Sequence, residues 1–184
     1  MSKRQLHEKR CILFPLAAVL VVSAVGSGRA GAQTITEIID AIGDGAGNVL
    51  DRPEGIAVDA AGNVYVAGRL SSNAFKITPA GAVIEIIDAT GDGAGNILSN
   101  PVGIAVDSAG NVYTMGINSH NAFKITPSGV ITEIIDSSGD GAGNRLDSPQ
   151  GIAVDAVGNA YVTGETSDNA FKITPTGVDT QIID

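Results

Sequence analysis

From residue 41 onward the apolar positions fall in short runs, and polar turn residues punctuate them at fixed places. Within residues 89–136 the runs are "GIAVD", "VYTMG", "AFKIT" and "VITEIID". Between them lie "SAGN", "INSHN" and "PSG", and "SSGDGAGNRLDSP" leads into the next unit. Runs of this length, rich in Ile, Val, Tyr and Phe and bounded by Gly, Pro and Asn, predict β-strands. Outside the first 32 residues no helical period is sustained over a helix-sized window.

The pattern is written three times. "IID" ends at Asp40, Asp88, Asp136 and Asp184, always 48 residues apart. Phe75, Phe123 and Phe171 keep the same interval, as do Pro53, Pro101 and Pro149. A period of this size predicts a solenoid or propeller whose units bury their apolar faces only against one another. Four antiparallel strands per unit predict the blade of a β-propeller. The expected fold is therefore all-β: a partial, about three-bladed propeller with blades at 41–88, 89–136 and 137–184. Residues 34–40, "TITEIID", copy the fourth run and predict a stray outer strand ahead of the first blade.

The turns have physical reasons. In "DAAGN" the Asp59 carboxylate is placed to accept backbone N–H groups two or three residues on, and Gly62 to take positive φ. Asp107 and Asp155 repeat this context, which reads as turn chemistry in preference to catalytic or metal carboxylates. Phe75, Ile77, Ile56 and Val58 are expected to fill the space between blades.

The N-terminal residues change the picture of location and charge. Lys3, Arg4, Lys9 and Arg10 precede an apolar run from Ile12 to about Val25, then "GSGRAGAQ" with Ala30 and Ala32. Basic, apolar and Ala-x-Ala in that order predict a secretory signal peptide over residues 1–32 and a secreted or periplasmic product. The apolar run is shorter than the ~20 residues of a membrane span, and Pro15 interrupts it. Cleavage would remove the single cysteine, Cys11, five of the 11 basic residues and one of the 20 acidic ones, leaving 6 against 19 and a net charge of −13. Such a surface repels phosphate backbones, so nucleic acid is not an expected partner, and no membrane attachment is expected after cleavage.

"P-x-G-I-A-V-D-x-x-G-N-x-Y" with a following "N-A-F", preceded by "GDGAGN", resembles the NHL-repeat β-propellers over residues 34–184. The chain departs from that family at Gly68, Gly116 and Gly164, where Asp is usual, and at Ala74, Ala122 and Ala170, where the family's His stands. The resemblance implies a ring of about six blades. Three blades then read as part of a propeller or as half of a dimeric ring, and self-association through open end blades is expected.

In an antiparallel meander alternate connections share an end. The loops between second and third strands therefore lie with the entry loops between blades, and this face varies among the copies. Its residues Arg69, His120, Glu165, Asp168, Glu54 and Gln150 are the candidate binding residues, for a protein, peptide or glycan. Divergence of this kind marks either a recognition face or surface drift. For catalysis there is one His after residue 32, His120, with no partner fixed by a motif, and no metal-ligand or P-loop spacing. No catalytic residue is assigned and no cofactor is expected. Asp44, Asp92 and Asp140 in "GDGAGN" are the metal candidates, for Ca²⁺, but they lack the alternating carboxylates and terminal Glu of an EF-hand. The expected function is an exported, non-catalytic binding or scaffold role. The alternative is a fragment of a propeller enzyme of the metal-dependent lactonase or lyase kind.

Overall fold

The computed structural model describes residues 34–183; the expected signal peptide with Cys11, together with Gln33 and Asp184, lies outside the described residues. The first repeat forms β1 (Pro53–Val58), β2 (Val64–Gly68), β3 (Asn73–Ile77) and β4 (Val83–Ile87). The second forms β5 (Pro101–Val106), β6 (Val112–Gly116), β7 (Asn121–Ile125) and β8 (Ile131–Ile135). The third forms β9 (Pro149–Val154), β10 (Ala160–Gly164), β11 (Asn169–Ile173) and β12 (Asp179–Ile183). Each set is one antiparallel four-stranded sheet in sequence order, and the described residues contain no helix.

Period-2 alternation gives each sheet two unlike faces. In the first blade one face carries small residues: Gly55, Ala57, Ala67 and Ala74, with Tyr65 among them. The opposite face carries Ile56, Val58, Val64, Val66, Phe75 and Ile77. The small face of one blade receives the large face of the next. Tyr65, Ala67, Ala74 and Ile87 of the first blade cluster with Leu98, Ile104, Val112, Phe123 and Ile125 of the second. Tyr113, Met115, Ala122 and Ile135 cluster in the same way with Leu146, Ala160, Val162, Phe171 and Ile173 of the third. The first strands lie side by side, β1 against β5 and β5 against β9.

Phe75 and Ile77 are buried as expected, but Ile56 and Val58 are not: they are 66% and 60% exposed. This corrects the sequence expectation, and the cause is positional. Ile104, the counterpart of Ile56, is 8% exposed because β1 covers it, whereas among the described residues no sheet lies over this face of β1. Phe75 stays buried because its own entry loop lies over it: a Cβ on Gly43 would stand 3.2 Å from the Phe75 ring.

Residues 34–40 form no strand, a second correction. An outer strand pairs with the third strand of its own blade, as β4 does with β3, and in a single copy this segment has no such partner. Its Ile39 nevertheless packs on Leu50, Val66, Phe75 and Ile77, in the position that Ile87 takes toward the second blade.

Among the glycines, Gly55 comes closest to the backbone of a neighbouring blade. A Cβ there would lie 2.7 Å from the Val102 carbonyl oxygen and 3.1 Å from the Ile104 nitrogen, neither of which can move alone. At Gly103 the nearest atom is the movable end of the Met115 side chain. Gly55→Ala is therefore expected to cost about 1–3 kcal/mol, and Gly103→Ala less, because only side chains need shift. Denaturant melts of the two variants check this order.

Candidate functional site: the variable loop face

The local framework of the loops comes from one motif used twice per blade. Asp59 Oδ1 accepts the N–H groups of Ala61 and Asn63, both at 2.9 Å, and its Oδ2 accepts the Asn63 amide at 2.7 Å and the Tyr65 hydroxyl at 2.9 Å. Asp107 and Asp155 repeat the arrangement with Asn111 and Tyr113, and with Asn159 and Tyr161. The N–H acceptance thus reaches residues two and four ahead. Burial works to raise the Asp59 and Asp107 carboxyls, but the Asn, Tyr and backbone donors outweigh it and hold them below their ordinary value. In Asp155 the Asn159 side chain leads, and the carboxyl falls to about 2. Burial and the Asp59 carboxylate push the Tyr65 hydroxyl up to about 12.

The entry loops share the Asp-x-x-Gly-Asn pattern, as Asp-Gly-Ala-Gly-Asn in all three blades. Asp44 accepts Ala46 N–H at 2.8 Å and the Asn48 amide at 2.7 Å, and Asp92 and Asp140 do likewise. Backbone N–H donation from Ala46 and Ala94 leads in lowering Asp44 and Asp92; the Asn144 side chain leads at Asp140. The three metal candidates therefore sit in separate blades, each closing its own loop. Among the described residues no three His, Cys, Asp or Glu side chains are grouped to hold a metal ion.

The two expected faces are present. Arg69 N–H and Leu70 N–H bond to the Arg52 and Asp51 carbonyls, which joins the loop between β2 and β3 to the entry loop. A network invariant in the first two blades ties these loops to the outer strand. Asn73 donates to the Val49 carbonyl at 3.0 Å and to Glu85 at 2.8 Å and accepts the Ser71 hydroxyl, and Asn121, Glu133 and Ser119 repeat it. Burial raises Glu85 and Glu133 above the ordinary carboxylate range.

Four of the six candidate binding residues turn out to pair with one another, although Arg69 Nε is buried without a hydrogen-bond partner. Arg69 Nη1 pairs with Glu54 Oε1 at 2.9 Å in the first blade. At the same two positions in the third blade, Gln150 Nε2 donates to Glu165 Oε2 at 2.6 Å. The second blade has Val102 and Ile117 there. Divergence at these sites is coupled: a charged pair, an apolar pair and a polar pair.

The other two, His120 and Asp168, stand at a position that joins blades. Ser72 Oγ accepts the Asn100 N–H at 3.3 Å, and one repeat later His120 Nδ1 accepts the Ser148 N–H at 3.0 Å. His120 Nδ1 also lies 2.9 Å from Asp147 Oδ1. Without a proton Nδ1 accepts from Ser148, and with one it donates to Asp147. Asp168 is exposed at the third copy of this position.

His120 opens onto a cleft of about 340 Å³ at the junction of the second and third blades, lined by Ser137, Arg145, Leu146, Asp147 and Ser167. Sequence reasoning missed Arg145, although the signal was there: its counterparts are Val49 and Ile97. Larger grooves of about 400 Å³ lie near the invariant turns, one beside Tyr65 and Lys76 and one beside Tyr113 and Lys124. Their near-identical linings follow from blade stacking and mark neither as special.

The β-propeller repeat family (SBBP) matches residues 42–74 and 141–172, spanning the entry loop to the third strand in the first and third units. The repeats are β-propeller blades. No curated protein matches the chain. Among solved structures it is similar to virginiamycin B lyase from Staphylococcus aureus, at 20% identity and TM-score 0.57 over 70% of this chain and 40% of that one. It is similar to a gluconolactonase from Xanthomonas campestris at 17% identity and TM-score 0.56, over 74% of this chain and 49% of that one. It is also similar to a chain of a nidogen/laminin complex at 23% identity and TM-score 0.56, over 71% and 47%. The chain spans less than half the length of each, and the likeness is one of fold.

The Asp turns set an acid limit. A carboxylate lowered by folding contributes stability that is complete above its unfolded value and is lost as pH falls through its folded value. For Asp155 that window runs from 3.8 down to about 2. Glu85 and Glu133, raised by burial, act in the opposite sense. The melting temperature should fall across this window. In Asp155→Asn it should start lower at neutral pH and fall less steeply, which a pH series of thermal melts checks.

Proposed function

We propose that this chain is an exported, non-catalytic binding or scaffold protein that takes a peptide, protein or glycan ligand on its variable loop face. One observation carries the reading. Ser137, His120, Arg145 and Asp147 line a single cleft. Their counterparts at the junction of the first and second blades are Ala89, Ser72, Ile97 and Ser99, so all four differ there. Elsewhere on the face, Glu54 with Arg69 and Gln150 with Glu165 are explained by pairing within their own blades.

The cleft sets an exposed Arg145 guanidinium beside the His120–Asp147 pair. A ligand with a carboxylate or another anionic group beside a hydroxyl or amide matches that arrangement. The export element rests on the basic, apolar and Ala-x-Ala order of the first 32 residues. The lyase and gluconolactonase likenesses lend the alternative of a propeller enzyme a fold but no residue.

Screening against immobilised peptides and oligosaccharides tests the reading. Arg145→Val and His120→Ser make the controls, because Val49 and Ser72 already occupy those positions in the first blade. Ligands are expected, and the paired substitution should weaken them about tenfold or more, as losing a charge-assisted contact does. Binding unchanged by the folded variant, or no ligand in either class, would overturn the assignment.

A further inference from the structure

The two outer faces of the described blade stack repeat the two faces that meet at its internal junctions. At the N-terminal end Ile56 and Val58 are 66% and 60% exposed; at the C-terminal end Ile183 is 60% exposed, while its counterparts Ile87 and Ile135 are each 3% exposed. The C-terminal face presents Gly151, Ala153 and Ala170, the same small residues that receive a following blade at the two internal junctions.

The joining bond between blades is also left half-made at each end. Ser72 and His120 accept the N–H groups of Asn100 and Ser148. The third acceptor in this series is the exposed Asp168, and the donor that precedes the series is the Arg52 N–H. Arg52 already holds φ 52°, matching Asn100 at 54° and Ser148 at 49°. Its guanidinium is largely exposed and Nε lies 3.3 Å from Glu54 Oε1 of the same blade, so the two end positions carry opposite charges, with Arg52 exchanging Glu54 for Asp168 on association.

We propose that two copies of this chain associate head-to-tail, the third blade of each against the first blade of the other, into a closed ring of six blades with Asp168 of one copy joined to Arg52 of the other. Three sheets per copy make six in two copies, and the chain matches 40–49% of the length of the three similar solved chains.

Residues 34–40 have a place in this ring. β12 departs from β4 and β8 at two positions. Asp179 stands where they have Val83 and Ile131, and its Oδ1 is buried with no hydrogen-bond partner. Gln181 stands where they have Glu85 and Glu133. The "TITEIID" segment has Ile35 and Glu37 at those two positions. In the β11–β12 register, Thr36 would face Lys172 and Ile35 would face Ile173. Ile39 already sits on the first blade where the preceding blade's outer strand belongs. In the ring, therefore, this segment replaces β12 as the outer strand of the other copy's third blade.

Residues 36–184 form a compact unit, so sedimentation equilibrium is run on a chain beginning at residue 34. A species of twice the chain mass is expected. Arg52→Asp or Asp168→Arg alone should weaken association about tenfold, and the two together should restore it. With Thr36→Cys and Lys172→Cys, mild oxidation should link two copies. The proposal is overturned by a monomer at all concentrations, by an open-ended series of oligomers, by association indifferent to the charge reversals, or by a dimer in which the cysteine pair does not link the copies.

Discussion

Everything in this molecule depends on a small face meeting a large one. Gly55, Ala57, Ala67 and Ala74 let the first sheet come close enough to cover Ile104, Val112, Phe123 and Ile125 of the second. Burying one such side chain is worth about 1.5–3 kcal/mol. A four-stranded sheet of this size has no second layer of its own, so that energy exists only between blades. The 48-residue repeat is the sequence expression of this requirement, since each copy must present both halves of the same interface.

The loops obey a second constraint, local and polar. The Asp-x-x-Gly-Asn turns satisfy their own carboxylates and amides at both ends of the blade. With the framework closed internally, variation is confined to positions that can change in pairs or face solvent. Glu54 with Arg69 and Gln150 with Glu165 changed together. Arg145 changed without a partner of this kind, and it lies on the cleft beside His120. That contrast separates residues paired within their own blade from one that faces the cleft.

The strands were legible because Gly, Pro and Asn punctuate every run, and the Asp59 turn was legible because its donors lie within four residues. Exposure of Ile56 and Val58 was not legible. Their local sequence matches that of the buried Ile104, and only the absence of a covering sheet distinguishes them. The same is true of residues 34–40, a sound strand sequence without a third strand to pair with. The Glu54–Arg69 pairing spans fifteen residues and emerges only when both positions are compared across all three copies. The joining bond from the Ser148 N–H to His120 runs between repeats, so no reading of one repeat contains it.

If blades are stable only through their neighbours, the middle repeat taken alone must fail to fold despite having the complete set of strands and turns. Far-ultraviolet circular dichroism and thermal melting of residues 89–136, set beside residues 34–184, test this directly. The account predicts an unfolded spectrum without a transition for the single repeat and a cooperative melt for the three. A folded, cooperatively melting single repeat would contradict it.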